Sequence, residues 1–244
     1  MEKAHAKITF LAHSGFAVET ARCFFLFDYC PSMVKKSIIT DELLKGKKHV
    51  YVLVSHSHGD HYDPAILRWG KANPAITYIL SSDIVFDRNA VAAQVLSAYE
   101  QWSDANIQVE TFGSTDEGIS FLVQVDGLSI FHAGDLNWWR WSGEPQADQE
   151  DATMRFKAEM AKMAGRKIDL AFFPVDRRLE ENYCIGAEYF AALMQPKLLI
   201  PMHFGVDFAA TKFFAARAKQ VSIPTVEITH EGQEILFGLA DWLV

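Results

Sequence analysis

One short segment of the chain, residues 56–61, holds four side chains of the types that bind metal ions. In sequence order they are His56, His58, Asp60 and His61, in the pattern H-x-H-x-D-H. The segment directly follows the apolar run Val50–Val54, so the first two histidines continue a predicted strand and point the same way. Gly59 frees the backbone to turn, which brings the last two side chains into the same space. Imidazoles and a carboxylate suit zinc, manganese or iron, and this spacing seldom arises by chance.

Two later segments supply further predicted ligands. Asp135 follows the apolar segment Leu128–His132 after a glycine, and His203 lies two residues after the apolar run Lys197–Pro201. Strand ends on one edge of a sheet are where α/β proteins gather functional groups. Asp135 is the candidate bridging carboxylate for two cations, which in such hydrolytic sites lie roughly 3.5–4 Å apart. The second site would then hold Asp60, His61, Asp135 and His203, and the first would hold His56, His58 and a share of Asp135.

These motifs resemble those of the metallo-β-lactamase superfamily, and the resemblance covers almost the whole chain. It rests on residues 56–61, on the segment His132–Asp135 and on Pro201–His203. Residues 11–16 and 27–29 also resemble one branch, which contains L-ascorbate-6-phosphate lactonase. The resemblance implies a single domain over residues 1–244, an α/β fold built as a four-layer αββα sandwich. It also implies a metal-dependent hydrolase with one or two divalent cations, zinc or manganese first and iron as a further option.

The sequence departs from this family at one ligand. The family supplies a third histidine to the first metal from the loop before a hairpin, and Gly113 stands at that position here. Asp116 could replace it from the same loop, and His132 is the other candidate. Relatives with all the standard ligands also carry a His-Ala-Gly-Asp segment, which favours a supporting role for His132. A first site that binds weakly or stays empty is the third alternative.

Other side chains are candidates for contact with the substrate or with the attacking water. The substrate candidates are His13, Trp138, Arg177, Arg178 and Tyr183. Trp138 is one of three tryptophans within residues 138–141, which could form an apolar wall or cover the sheet edge. Either arginine could hold a substrate carboxylate or phosphate, or could be an ordinary surface charge. Asp60 and Asp135 are the predicted catalytic carboxylates, which would orient the activated water.

The composition of the chain indicates which classes of substrate and partner to expect. The 244-residue chain has a net charge of −8, which argues against a nucleic-acid surface and favours a small-molecule substrate. No apolar stretch is long enough to span a membrane, and three cysteines without a C-x-x-C pair predict a cytoplasmic protein. We therefore predict an enzyme that hydrolyses a small, anionic ester, lactone or phosphodiester. Nucleic-acid phosphodiesterase activity and a non-hydrolytic metal or ligand sensor remain alternatives, and the oligomeric state is left open.

The apolar patterns predict the elements that carry these residues. Asp126-Gly127 between two apolar runs predicts a β-hairpin with a two-residue turn. Ser81-Ser82-Asp83 predicts the start of a helix running towards Tyr99. Strands in hairpins come first and strands alternating with helices follow, an order that indicates two packed sheets with helices outside.

Overall fold

The computed structural model describes residues 5–35 and 38–238. Its strands are β1 His5–Ala12, β2 Gly15–Glu19, β3 Phe24–Phe27, β4 Val50–Val54, β5 Ile76–Ser81, β6 Ala93–Leu96, β7 Gln101–Ser103, β8 Ile107–Gly113, β9 Ile119–Val125, β10 Leu128–His132, β11 Leu170–Pro174, β12 Leu198–Met202 and β13 Glu234–Gly238. Its α-helices are α1 Asp41–Lys45, α2 Trp69–Ala72, α3 Gln146–Lys162, α4 Ile185–Met194 and α5 Ala209–Gln220. Short 3-10 segments cover Pro31–Met33, Pro64–Arg68 and Arg177–Asn182.

The strands form two mixed sheets. The first has the order β13-β1-β2-β3-β4-β5-β6, and the second has the order β12-β11-β10-β9-β8-β7. Antiparallel pairs at the start of each sheet give way to parallel pairs, from β3 to β6 in the first and from β10 to β12 in the second. The prediction of two sheets is confirmed.

Apolar side chains fill the space between the sheets and both outer layers. Phe25 and Phe27 of the first sheet belong to the same buried cluster as Phe172 of the second. The opposite face of the first sheet packs against α1 and α2 through Leu44 and Trp69. Helices α3 and α4 lie against β8 and β11 of the second sheet. Strands that are buried on both faces consist of continuous apolar residues, as β4 and β11 do.

The hairpin between β9 and β10 forms as predicted. Asp126 and Gly127 both have positive φ, 48° and 79°, which a two-residue type I′ turn requires. The Asp126 carboxylate also accepts hydrogen bonds from the Thr20 hydroxyl, at 2.7 Å, and from the Arg22 backbone N–H, at 3.0 Å. This turn therefore joins the two sheets at the end opposite to the histidine-rich segment.

The predicted helix from Ser81 towards Tyr99 is wrong. Residues 93–96 form β6 instead, parallel to β5, with Leu80 opposite Val95. A turn precedes it, in which the Asp87 carboxylate accepts from the Asn89 N–H at 2.9 Å. Without β6, the edge of β5 would present unpaired main-chain groups, so sheet pairing overrides the local helical preference.

The fold brings four strand ends to one edge. Residues 55–61 follow β4, Asp135 follows β10, Asp176 follows β11 and His203 follows β12. The two sheets face each other there, so these side chains converge from both of them. Among the described residues, no helix has the length and apolar character needed to cross a membrane.

Candidate metal centre

Eight histidine and aspartate side chains converge at this edge of the sandwich. In the part of the chain that the structure describes, ligand atoms within 4.8 Å of one another form the groups His13–Asp60–His61–His203, His56–His58–Asp60, His56–His61–Asp135 and His58–Asp116–Asp135. All six ligands predicted for the two sites are members, together with Asp116 and His13. Overlap between the groups makes them one continuous cluster.

Asp135 lies at the middle of the buried part of this cluster. Its Oδ1 is 3.1 Å from His61 Nε2 and 3.3 Å from His203 Nε2, and its Oδ2 is 3.4 Å from His56 Nε2. Each of these four residues is at least nine-tenths buried. The two carboxylate oxygens thus face different histidines, which is the arrangement that a bridging carboxylate needs.

The same atoms lack hydrogen-bond partners. His56 Nε2, His61 Nε2 and Asp135 Oδ1 are buried and make no hydrogen bond, although they lie close to one another. A buried polar atom left unsatisfied costs about 1–3 kcal/mol, so a group of them facing one point needs a shared partner. A divalent cation bound by imidazole nitrogens and a carboxylate satisfies them together, and the residues present therefore fit a metal ion.

The other nitrogen of two of these rings is held by a carboxylate. His61 Nδ1 is 2.7 Å from Asp28 Oδ2, and His203 Nδ1 is 3.0 Å from Asp176 Oδ2. An ionised carboxylate can only accept, so each Nδ1 carries a proton, and Nε2 is the nitrogen that faces the cluster and would bind a cation. Asp28 and Asp176 were not among the predicted site residues. Asp28 directly follows β3 and Asp176 lies two residues after β11, and this position at a strand end is the sequence signal that could have identified them.

Ser55 connects a third histidine to the same carboxylate. Its hydroxyl donates to Asp28 Oδ2 at 2.6 Å, and its backbone N–H donates to Asp28 Oδ1 at 2.7 Å. Because the hydroxyl hydrogen is used in this way, Ser55 Oγ can accept from His56 Nδ1, which lies 2.9 Å away. The Nε2 of His56 is consequently left free towards Asp135.

The charges of the buried group support each other. Burial lowers the pKa of His61, but its contacts with Asp135 and Asp28 raise it overall to about 10. Burial likewise lowers the pKa of His203, while Asp135 and Asp176 raise it to about 9. Burial raises the pKa of Asp135, and the two imidazoles hold it well below its usual range. The group is therefore built around an ionised carboxylate that attracts positive charge.

Asp116, and not His132, is the candidate that joins the first-site side of the cluster. His132 is buried against Phe27; its Nδ1 accepts from the Gly134 N–H at 3.2 Å, and its Nε2 donates to the Ser14 carbonyl at 2.9 Å. Both of its nitrogens are therefore occupied. Asp116 shares a group with His58 and Asp135. Both Asp116 and His58 are exposed.

The position of the expected third histidine is closed by other side chains. A Cβ atom added to Gly113 would lie 2.7 Å from Glu159 Oε2 and 2.9 Å from Tyr99 Oη. A histidine there would have to displace this pair. The loop that carries Asp116 reaches the cluster through Gly118, where a Cβ would lie only 2.0 Å from the Ser55 carbonyl oxygen.

A cavity of about 380 Å³ opens beside the cluster. Asp116, Trp139, Trp141, Arg178 and His203 are among the residues that line it. Trp139 donates from Nε1 to the Asp135 carbonyl at 2.9 Å, and its ring centroid lies 5.1 Å from that of His203. Trp139 and Trp141, whose rings stack with centroids 6.2 Å apart, form one side of this cavity.

Three residues predicted to face the substrate lie elsewhere. Trp138 stacks on Phe156 of α3 and donates from Nε1 to Thr153. Arg177 pairs with Asp207 at 3.0 Å, and Tyr183 packs against the main core. Sequence order alone placed these residues near the strand ends, but the direction of each side chain depends on the turn that follows the strand.

Two other substrate candidates do lie at the cluster. Arg178 lines the cavity, with its Nε 2.9 Å from Asp176 Oδ2. His13 is buried beside His203, with ring centroids 4.3 Å apart, and its Nε2 is 3.3 Å from Asp60 Oδ2.

Comparison with known proteins places the chain in a class. Residues 7–148 match the beta-lactamase superfamily domain, and the chain belongs to this family. It is similar to a UPF0173 metal-dependent hydrolase of Pelotomaculum thermopropionicum, with 24% identity over 81% of this chain and 84% of that protein. Among solved structures, it resembles Igni18, a metallo hydrolase of the archaeon Ignicoccus hospitalis, with a TM-score of 0.69, 18% identity and coverage of 96% and 98% of the two chains. It also resembles the metallo-beta-lactamase fold protein YhfI of Bacillus subtilis, with a TM-score of 0.61, 14% identity and coverage of 96% and 99%.

Proposed function

We propose that this protein is a metal-dependent hydrolase that acts on a small ester, lactone or phosphodiester carrying a negative charge. The observation that carries the proposal is the convergence of the free Nε2 atoms of His56 and His61 on the Asp135 carboxylate. The family membership and the names of the relatives agree with it. A surface cluster that arose by chance would not bury these atoms without partners.

The residues divide into two ligand sets that share one carboxylate. Asp60, His61, Asp135 and His203 would hold one cation, and His56, His58, Asp116 and Asp135 would hold the other. Zinc and manganese both suit imidazole and carboxylate donors, and iron is a third option. When bound, such cations lower the pKa of a coordinated water and polarise the scissile group of the substrate. Asp60 and Asp135 would accept hydrogen bonds from the attacking water and so hold it in place.

The cavity supports a small substrate. Its volume is typical of sites for small molecules, and Trp139 and Trp141 supply an apolar wall. Arg178 lines the cavity and donates from Nε to Asp176 Oδ2 at 2.9 Å, and its guanidinium would face the anionic group of the substrate. The carboxylates of Glu144, Asp148 and Asp151 line the same cavity and would repel a polyanion. This charge arrangement favours a small anion over a nucleic-acid strand.

The finer choice of substrate rests on resemblance. Residues 11–16 and 27–29 are the reason to include a lactone, since they resemble the branch that contains the ascorbate phosphate lactonase. A place in the cytoplasm also remains part of the proposal. Its support is that Cys23, Cys30 and Cys184 are all free and buried.

The experiment combines metal analysis with turnover. The purified protein is stripped with a chelator and reloaded with zinc or with manganese, and the metal per chain is measured by mass spectrometry. The loaded protein is then assayed on chromogenic phosphodiester, lactone, carboxyl ester and thioester substrates. We expect one to two ions per chain and turnover of at least one substrate class that depends on them. Asp135→Asn should abolish both, and His230→Ala, at an exposed histidine outside the cluster, should change neither.

Two results would contradict the proposal. Absence of stoichiometric metal after reloading would reject the site itself. Full metal content without turnover of any substrate would reject the hydrolase and favour a metal or ligand sensor.

A further inference from the structure

One buried histidine of the cluster differs from the others in how its second nitrogen is held. The Nδ1 atoms of His61 and His203 face carboxylates, whereas His13 Nδ1 accepts the backbone N–H of Gly205 at 3.2 Å. A nitrogen that accepts a hydrogen bond carries no proton. The proton of the neutral ring must therefore be on Nε2, the atom that points into the cluster.

The ring of His13 is held rigidly in this orientation. Its residue is 6% exposed, and its backbone carbonyl accepts from the His203 N–H at 3.1 Å. Its backbone has a positive φ of 52°, a conformation that non-glycine residues seldom adopt. The turn between β1 and β2 is thus tied to residues 203–205, after β12, by one main-chain hydrogen bond and by the bond from the Gly205 N–H to the His13 ring.

His13 Nε2 is buried and makes no hydrogen bond of good geometry, although Asp60 Oδ2 lies 3.3 Å away. Asp60 belongs to two of the groups, one with His61 and His203 and one with His56 and His58. Its side chain is 43% exposed, in contrast to the buried Asp135. Because Asp60 belongs to both groups and is partly exposed, its burial does not determine which of the two cations it would bind.

We propose that His13 is a positioning residue of the metal centre, whose Nε2–H donates to the Asp60 carboxylate and holds it at the second site. This inference rests on the metal sites of the proposed function. An Nε2 that carries a proton cannot also bind a cation, so His13 is a donor in the cluster and not an additional ligand. His132 provides a parallel within the same protein, since its Nδ1 accepts from the Gly134 N–H and its Nε2 donates to the Ser14 carbonyl.

The first test reads the protonated nitrogen directly. Protein labelled with nitrogen-15 histidine is loaded with zinc, and two-bond proton–nitrogen correlation spectra are recorded, with His13 assigned from the signals lost in His13→Gln. We expect a protonated Nε2 and an unprotonated Nδ1 for His13, and the reverse for His61 and His203. A zinc-bound Nε2 on His13 would overturn the proposal. If the protein takes up no zinc, the proposed function fails, but the spectrum of the metal-free protein still shows which His13 nitrogen is protonated, and a proton on Nδ1 there would again overturn it.

The second test measures positioning. His13→Gln keeps an N–H donor on a side chain of similar length, and His13→Leu removes it with the same backbone penalty. We expect His13→Leu to weaken zinc binding at the second site about tenfold, as loss of a partner that orients a ligand commonly does. His13→Gln should recover most of this affinity, and in an Asp60→Ala background His13→Leu should cause no further loss.

Equal losses of zinc affinity in His13→Gln and His13→Leu would assign His13 a merely structural role. A loss in His13→Leu that adds to that of Asp60→Ala would also refute the proposal that His13 positions Asp60.

Discussion

The two halves of the candidate metal centre are built differently. His61, His203 and Asp135 are buried, and carboxylates from neighbouring strand ends hold both imidazoles. His58 and Asp116 lie exposed on loops at the other side of Asp135. Buried side chains held by hydrogen bonds lose little freedom when they bind a ligand, whereas exposed ones must be ordered at that moment. The comparison predicts a tight second site and a weaker first site.

The largest effect should follow from removing the carboxylate that both halves share. Asp135→Ala takes a donor from each ligand set and leaves buried imidazoles facing one another. We expect loss of both cations and a fall in kcat/KM of at least about a hundredfold, since even supporting partners of a metal site are worth 10–100-fold. Metal analysis and kinetics on the same preparation check this. Retention of either cation at full affinity would show that Asp135 does not bridge the two halves.

The first half depends on a close backbone approach at Gly118. An alanine Cβ there would lie 2.0 Å from the Ser55 carbonyl oxygen, and φ is +70°. We expect Gly118→Ala to lower the free energy of unfolding by at least about 3 kcal/mol, from overpacking and the left-handed backbone together. Gly165→Ala is the control, since Gly165 has φ +81° with nothing within 4 Å of the added atom. Denaturant unfolding should show a loss of only about 1 kcal/mol in the free energy of unfolding for Gly165→Ala. Equal losses would mean that the approach to Ser55 is not tight.

The contribution of the Asp28 carboxylate to the second half of the centre can be tested by substitution. Asp28→Asn is nearly isosteric but removes the charge that faces His61 Nδ1 and accepts from the Ser55 hydroxyl. We expect second-site affinity to fall by roughly 10–100-fold, as for other partners of metal-binding histidines. Isothermal titration with zinc measures it, and Asp176→Asn tests the same role for His203. An unchanged affinity in both variants would remove the proposed reason for the tighter site.

Replacement of Asp116 should release the cation of the first half without affecting the cation of the second half. Asp116→Ala should release the first-site cation at about tenfold lower chelator concentration and leave the second unchanged, because Asp116 is grouped with His58 and the shared Asp135 but not with His61 or His203. The exposed neighbour Glu117 provides the control, and Glu117→Ala should behave like the unaltered protein. Stepwise chelation followed by metal analysis distinguishes the two ions. Simultaneous loss of both ions would show that the halves are not independent.

The smallest effect concerns the substrate. Arg178 lines the cavity, whereas the adjacent Arg177 pairs with Asp207 away from it. Arg178→Ala should raise KM a few-fold with little change in kcat, which is the mark of lost ground-state binding. Arg177→Ala should leave both constants unchanged. A larger effect at Arg177 would contradict the side-chain placement.

Much of the fold could be predicted from apolar patterns. The runs that became β4, β9 and β10 are long and strongly apolar, and the Asp126-Gly127 turn has the chemistry that its conformation needs. The segment after Ser81 was misassigned because its spacing suits a helix, and only the unpaired edge of β5 makes a strand more stable there. Strand β7 was not predicted, since it has only three residues and none of them is buried. Strand β13 was not predicted either, although burial alternates along its five residues.

The sequence by itself determined the chemistry of the candidate site, because the H-x-H-x-D-H segment combines ligand types that few other functions need. It also indicated Asp135 and His203, since each follows an apolar run that had to become a strand. Only the tertiary structure distinguishes Asp116 from His132: Asp116 lies on a loop in one group with His58 and Asp135, whereas both nitrogens of the buried His132 are hydrogen-bonded. It alone supplied Asp28, Asp176 and the Gly205 N–H as partners for distant histidines. Hydrogen bonds act over about 3 Å between residues far apart along the chain, so their pairing depends on how the strands pack and cannot be read from local spacing.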